Sequence, residues 1–147
     1  MVRRLTPPHI LVHMFDPWGV LRRLTHIHIS FTRMPDGVPG RTDGLRVIWL
    51  DNRLQQDERR CALTHELVHM EHGHDGCQEP AIEYQVCAET ARRLIPIDTL
   101  CQHAAWATSI HELAGELWVT AAIVTDRLQS LTHDETAQLA LVEHQTR

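Results

Sequence analysis

The chain has 147 residues, 43% hydrophobic and 22% charged, with a formal net charge of −5. This is long enough for one domain with a real core, and the composition is that of an ordinary globular protein. The acidic balance excludes a nonspecific nucleic-acid coat, and no apolar run approaches the roughly 18 residues of a spanning helix.

The N-terminal stretch MVRRLTPPHILVHMFDPWG has arginines but only a short apolar run, broken by His9, His13 and Asp16, and no small-residue cleavage site. A signal peptide is therefore not expected, and a cytoplasmic location is. All 14 basic residues are Arg, the usage of a GC-rich gene and in keeping with a bacterial or phage source. Cys61, Cys77, Cys87 and Cys101 form no C-x-x-C pair, so free thiols are expected rather than disulfides or a cysteine-based zinc site.

In chain order, Pro7–Phe15 reads as a short helix and Trp18–Leu24 as another turn or two after Pro17. THIHISF, Thr25–Phe31, alternates with period two and is a strand candidate. RMPDGVPGRTDG, Arg33–Gly44, is dense in turn residues and is expected to be an exposed loop. LRVIWL, Leu45–Leu50, is a second strand candidate, so residues 25–50 should form a small antiparallel ribbon around that loop. From Gln56 the pattern is helical, through residues 56–74, with HGHDG ending it. A further helix is expected over 79–95, stopped by Pro96, then one capped by Asp98 and running to about Trp106. Ser109 with Glu112 fits a capping box, and Thr120 can cap a helix over Ala121–Leu131, giving residues 109–131 a helix-turn-helix outline. ETAQLALVE adds a last helix candidate. The fold class is α+β, a small N-terminal sheet followed by helices.

HELVH, residues 65–69, is an H-E-x-x-H pattern. On a helix, His65 and His69 lie on one face a turn apart, so both imidazoles can reach one cation. Glu66 lies about 100° around the helix, beside such an ion, where a base for an activated water belongs. Leu63, Leu67 and Met70 form the adjacent apolar stripe. The longer H-E-x-x-H-x-x-G-x-x-H pattern does not fit, because His72 stands at the glycine and Asp75 at the third histidine. A near-copy at His111-Glu112 has Gly115 in place of the second histidine.

A third ligand is sought on the next helix. Glu83 shares a face with Cys87, Ala91 and Leu94, where a carboxylate needs a cationic partner. Glu89 falls with Gln85, Arg92 and Arg93 and can pair with Arg93 at i,i+4. Glu83 is thus the assigned ligand and Glu89 its competitor. His72 and His74 are auxiliary candidates whose alternative is exposed polar residues at a helix end. Tyr84, beside Glu83, is expected to pack, with oxyanion stabilisation as its second reading; His72 or His74 suits that task better.

With these residues in place the chain resembles the ImmA/IrrE family of zinc-dependent metallopeptidases. LTHELVHMEHGH resembles the family's active-site helix, EYQVCAETARRLIP (Glu83–Pro96) its second segment, and IHELAGELWVTAAIVTDRLQSL (Ile110–Leu131) its C-terminal segment. DGLRVIWLDNRL occupies the place of the strand before the active-site helix. The resemblance implies a single zincin-like metallopeptidase domain, with His65, His69 and Glu83 as zinc ligands and Glu66 as catalytic base. Cys87 replaces the family's usual Asn, a group expected to support a metal-bound histidine, Glu89 an aromatic residue, and Val68 a glycine. Family members are often encoded by phages and mobile elements beside a helix-turn-helix repressor, so the implied substrate is a repressor or other transcriptional regulator.

The expected activity is hydrolysis of a peptide bond, with the Leu45–Leu50 strand docking an extended substrate by edge pairing. The alternative is a zinc-stabilised interaction module that binds such a regulator without cutting it. Membrane association is not expected. Direct nucleic-acid binding is not expected either, because Asp126, Asp134 and Glu135 give the second helix of the helix-turn-helix outline an acidic flank.

Overall fold

A computed structural model describes residues 14–145. Among these residues the chain forms seven helices and a three-stranded sheet. The helix expected over Pro7–Phe15 falls almost wholly outside the described residues.

Helix α1, Pro17–Arg23, begins where the Asp16 carboxylate accepts from Trp18 N, with Pro17 at the first helical position. Strand β1, His28–Thr32, follows. The expected loop then holds a further short strand, β2, Gly40–Thr42, ahead of β3, Val47–Asp51. The strand order is β1-β3-β2. β1 pairs with β3 in parallel, Ile29 opposite Ile48, and β2 pairs with β3 antiparallel, Arg41 opposite Trp49.

The sheet is therefore mixed, and the expected antiparallel ribbon of two strands is corrected. The hairpin is made by β2 and β3, and the chain comes back alongside β1 after a second reversal. The turn residues in Arg33–Gly44 build this hairpin rather than a free loop. The Asp43 carboxylate accepts from Leu45 N, Arg46 N and Val47 N at 2.8–3.0 Å. These hydrogen bonds hold its acid group below the usual carboxylate range. Thr42 Oγ1 donates to Val47 O at 2.8 Å.

Helix α2, Gln56–Glu71, carries Asp57 and Glu58 in its first turn, where carboxylates favour the helix dipole. It lies between two packed clusters. Ala62, Leu63 and Leu67 meet Ile48 and Leu50 of the sheet, while Cys61 joins Ala91, Leu94, Leu113, Leu117 and Val124 of the helical half. A helix covered on both flanks buries polar residues too, and Thr64, Glu66 and His69 are all buried. Helix α3, Pro80–Leu94, starts with Pro80 at its first position and packs along α2.

Helix α4, Ile97–Ala104, is capped at Pro96, so Asp98 sits in its first turn rather than at the cap. Helix α5, Ile110–Leu117, starts as Ser109 Oγ accepts from Glu112 N, but the Glu112 carboxylate turns to Thr108 instead of closing the capping box. Helix α6, Ala121–Gln129, is capped by Thr120, and α7, His133–Gln145, ends the described chain. Leu113, Leu117, Ile123 and Val124 put α5 and α6 into the helical core as scaffold.

Arg127 of α6, 1% exposed, ties the C-terminal elements together. Its Nε donates to Ile95 O at 2.7 Å and its two terminal nitrogens to the Glu135 carboxylate at 2.8 and 3.0 Å. The four cysteines are free. No helix among the described residues is long and apolar enough to cross a membrane.

Candidate metal centre

The site forms where α2 and α3 face each other. His65 and His69, one turn apart on α2, turn their Nε2 atoms to within 3.1 Å of one another. Glu83 enters from the first turn of α3, with Oε2 3.4 Å from His65 Nε2 and Oε1 3.3 Å from His69 Nε2. Two imidazole lone pairs and a carboxylate thus converge on one point, and the cluster could hold a metal ion.

The chemistry of the donor set fits a cation. Desolvation is the largest effect on both histidines and holds both below the ordinary imidazole range, with the neighbouring His69 adding to it for His65. They stand neutral, as metal ligands must. Burial pushes the Glu66 carboxyl up to about 8, and the nearby Glu83 charge adds to it, against a smaller opposing pull from Arg41. Two carboxylates beside paired neutral imidazoles are an arrangement that a positive ion relieves. The site is open on one side: the His65 and Glu83 side chains keep 25% and 36% of their exposure.

Glu89 is placed differently. Its carboxylate meets His72 Nε2 at 2.7 Å and Arg93 at 2.7 Å, and Arg93 also grips Glu71. Burial alone would raise its acid group, but the hydrogen bonds from His72 and Arg93 together outweigh this and lower it. These partners draw Glu89 to the far end of α2, and it is not one of the three converging donors.

Tyr84 does not pack as expected but stands 59% exposed. It borders a small cleft with Cys87, Ala88, Asp126 and Gln129. Cys87 lies one turn after Glu83, and its thiol is pushed up by burial first and then by the Asp126 and Glu83 charges. A wider cleft of about 460 Å³, lined by Phe15, Trp18, Arg59, Arg60 and Trp118, lies at the other end of α2.

Two features were missed in the sequence. Strand β2 lies along α2, so that a Cβ on Gly40 would stand 3.3 Å from Glu66 Cγ. His74, an auxiliary candidate whose alternative was an exposed polar residue, is half-buried, and its contact with His69, Nδ1 to Nδ1 at 3.0 Å, was not foreseen. The glycine in GRT and the H-G-H at the helix end were the available signals.

A helical core, a small sheet and a helix pair presenting His65, His69 and Glu83 make a metallopeptidase-like fold. The chain belongs to the Peptidase M78 family, whose IrrE N-terminal-like domain matches residues 15–140. Membership implies a protease and a metal ion. No curated protein and no solved structure gives a significant match.

Proposed function

We propose that the protein is a zinc-dependent endopeptidase that cuts a peptide bond in a protein substrate, a transcriptional regulator of the repressor type, within the cytoplasm. The observation that carries the reading is the convergence of donor atoms. His65 Nε2 and His69 Nε2 lie 3.1 Å apart, and each has a different Glu83 oxygen beside it, at 3.4 and 3.3 Å, separations close to the roughly 3.3 Å between ligands held about 2.0–2.1 Å from a tetrahedral zinc ion. Three protein ligands with one open side is the pattern of a catalytic rather than a closed structural site.

When bound, zinc would supply Lewis acidity to the attacking water and to the substrate carbonyl. Glu66, one residue after His65 and buried beside the cluster, takes the proton from the attacking water and passes it to the leaving amine. Its burial keeps competing water away and its carboxylate in one place.

The substrate strand docks on β2 rather than on Leu45–Leu50. The latter is the central strand, paired on both sides, and has no edge to offer. Pro39 O and Asp43 N bond across to β3, so the antiparallel alternation turns the peptide groups of Gly40 and Thr42 outward. Thr42 O accepts from Gly76 N, which leaves the Gly40 groups, next to Glu66, to hold an extended chain.

The test is incubation of the zinc-loaded protein with the regulator encoded beside it, followed by mass spectrometry of the products. Cleavage by wild type and none by Glu66→Gln supports the reading. A stable complex with no product would replace it by the zinc-stabilised interaction module.

A further inference from the structure

The end of α2 is built as a Schellman turn. Gly73, at φ +69°, reverses the chain. Gly73 N then donates to Met70 O at 3.0 Å and His74 N donates to His69 O at 2.9 Å. In this motif the residue after the glycine is carried back over the third residue from the helix end, where an apolar pair usually meets. Here the pair is His74 and His69, and they meet through ring nitrogens, Nδ1 to Nδ1, at 3.0 Å. The rings are 5.3 Å apart at 65°, an edge contact rather than a stack.

Two imidazole nitrogens at that distance bond only if one carries the proton and the other offers a lone pair. His69 Nε2 faces His65 and Glu83, and a ligand nitrogen must keep its lone pair free. The His69 proton therefore sits on Nδ1 and is donated to His74 Nδ1. The His72 ring stacks on that of His74, with centroids 5.5 Å apart at 21°. The backbone is held as well: a Cβ on Gly44 of the β2–β3 turn would lie 2.5 Å from His74 O, so the turn sits directly against that carbonyl.

We propose that His74 is a positioning residue that fixes the ring orientation and tautomer of His69 for ion binding, through a hydrogen bond that the helix-ending turn creates. This rests on the reading of His65, His69 and Glu83 as a zinc site.

The test is zinc affinity, by competition with a chromophoric chelator, together with the visible spectrum of the cobalt-loaded protein. It compares wild type, His74→Leu, His74→Asn and His69→Ala. Leucine suits the apolar contact usual at this turn and should keep the fold, checked by melting of the metal-free protein; His74→Ala replaces it if the turn is disturbed. Asparagine puts an acceptor oxygen where Nδ1 stands. The expected result is a 10- to 100-fold loss of affinity in His74→Leu, with an altered cobalt spectrum, and recovery of both in His74→Asn. Wild-type affinity in His74→Leu, with zinc lost in His69→Ala, would overturn this proposal alone. Equal losses in the Leu and Asn variants would also overturn it, since packing rather than the hydrogen bond would then matter. Undiminished zinc binding by His69→Ala would remove both this proposal and the site beneath it.

Discussion

Gly40 lies flat against Glu66. A methyl group on Gly40 would stand 3.3 Å from Glu66 Cγ, 3.1 Å from Trp49 O and 3.0 Å from Leu50 Cδ2. The edge strand therefore packs closely on the stem of the buried Glu66 side chain, with no room for a further methyl group between them. Gly40→Ala is expected to push β2 off α2 and lower stability by about 1–3 kcal/mol through overpacking. Displacement of a reacting group by a fraction of an ångström to an ångström should slow peptide cleavage by up to about 100-fold. Zinc content should stay at the wild-type level, because no ligand moves. Melting temperature, cleavage rate and bound zinc measured on one preparation check this; unchanged cleavage would show that the strand has no part in the reaction.

Glu83 and Glu89 make the next contrast, both carboxylates on α3. Glu83→Gln is expected to remove bound zinc, since its oxygens face both imidazoles. Glu89→Gln should keep the zinc and weaken only the cluster with His72, Arg93 and Glu71. That cluster is solvent-exposed, so the loss should be about 0.5 kcal/mol. Elemental analysis of the two variants decides it. Zinc lost from Glu89→Gln and kept in Glu83→Gln would invert the assignment.

That Glu83 rather than Glu89 faces His65 and His69 was readable from helical phase alone. Glu83 stands on an apolar stripe, whereas Glu89 has Arg93 one turn on. Helical period and caps likewise located α2, α3, α5 and α6 to within a few residues. The sheet was harder. GRT is a three-residue strand inside a stretch of Gly, Pro and Asp, and its pairing is decided by β3 and α2, which are distant contacts invisible to local pattern. The same holds for Arg127. In sequence it is one more surface arginine, yet its carbonyl and carboxylate partners come from the end of α3 and the start of α7. His74 was legible in principle, because a glycine after a helix end predicts which residue folds back over His69.

Removing the carboxylate of Glu66 should separate chemistry from binding. Glu66→Gln is expected to retain zinc and lose about 10²- to 10⁴-fold in cleavage rate, the usual contribution of a positioned base. The zinc-free protein should respond in the opposite direction. Glu66 is buried with its acid group raised from 4.5 to about 8. Its folded state is thus favoured fully below about pH 4.5 and progressively penalised as pH rises towards 8. Zinc-free Glu66→Gln, with no charge to bury, should gain in melting temperature relative to wild type over that window. Parallel melting curves at pH 5 and pH 8, with no change in the difference, would refute the burial argument.

Arg127 and Glu135 should set a separate acid limit on the fold. Arg127 donates two hydrogen bonds to the carboxylate, and these hold Glu135 down at about 2, below its ordinary 4.5. A depressed acid group stabilises the folded state at pH values above its unfolded value. That stabilisation is complete above about pH 4.5 and fades as pH falls towards 2. Glu135→Gln is therefore expected to melt below wild type at neutral pH, and the gap should close as pH is lowered through this window. Arg127→Leu should be worse at neutral pH, by about 1–3 kcal/mol, because it leaves the buried Ile95 O without its donor and the Glu135 carboxylate with only Thr132 N. Zinc content should be untouched in either variant, since both residues lie in the C-terminal half of the helical core. Denaturant unfolding of the three proteins at several pH values between 2 and 7 checks the prediction. A gap between wild type and Glu135→Gln that stays constant with pH would mean the pair contributes packing rather than charge.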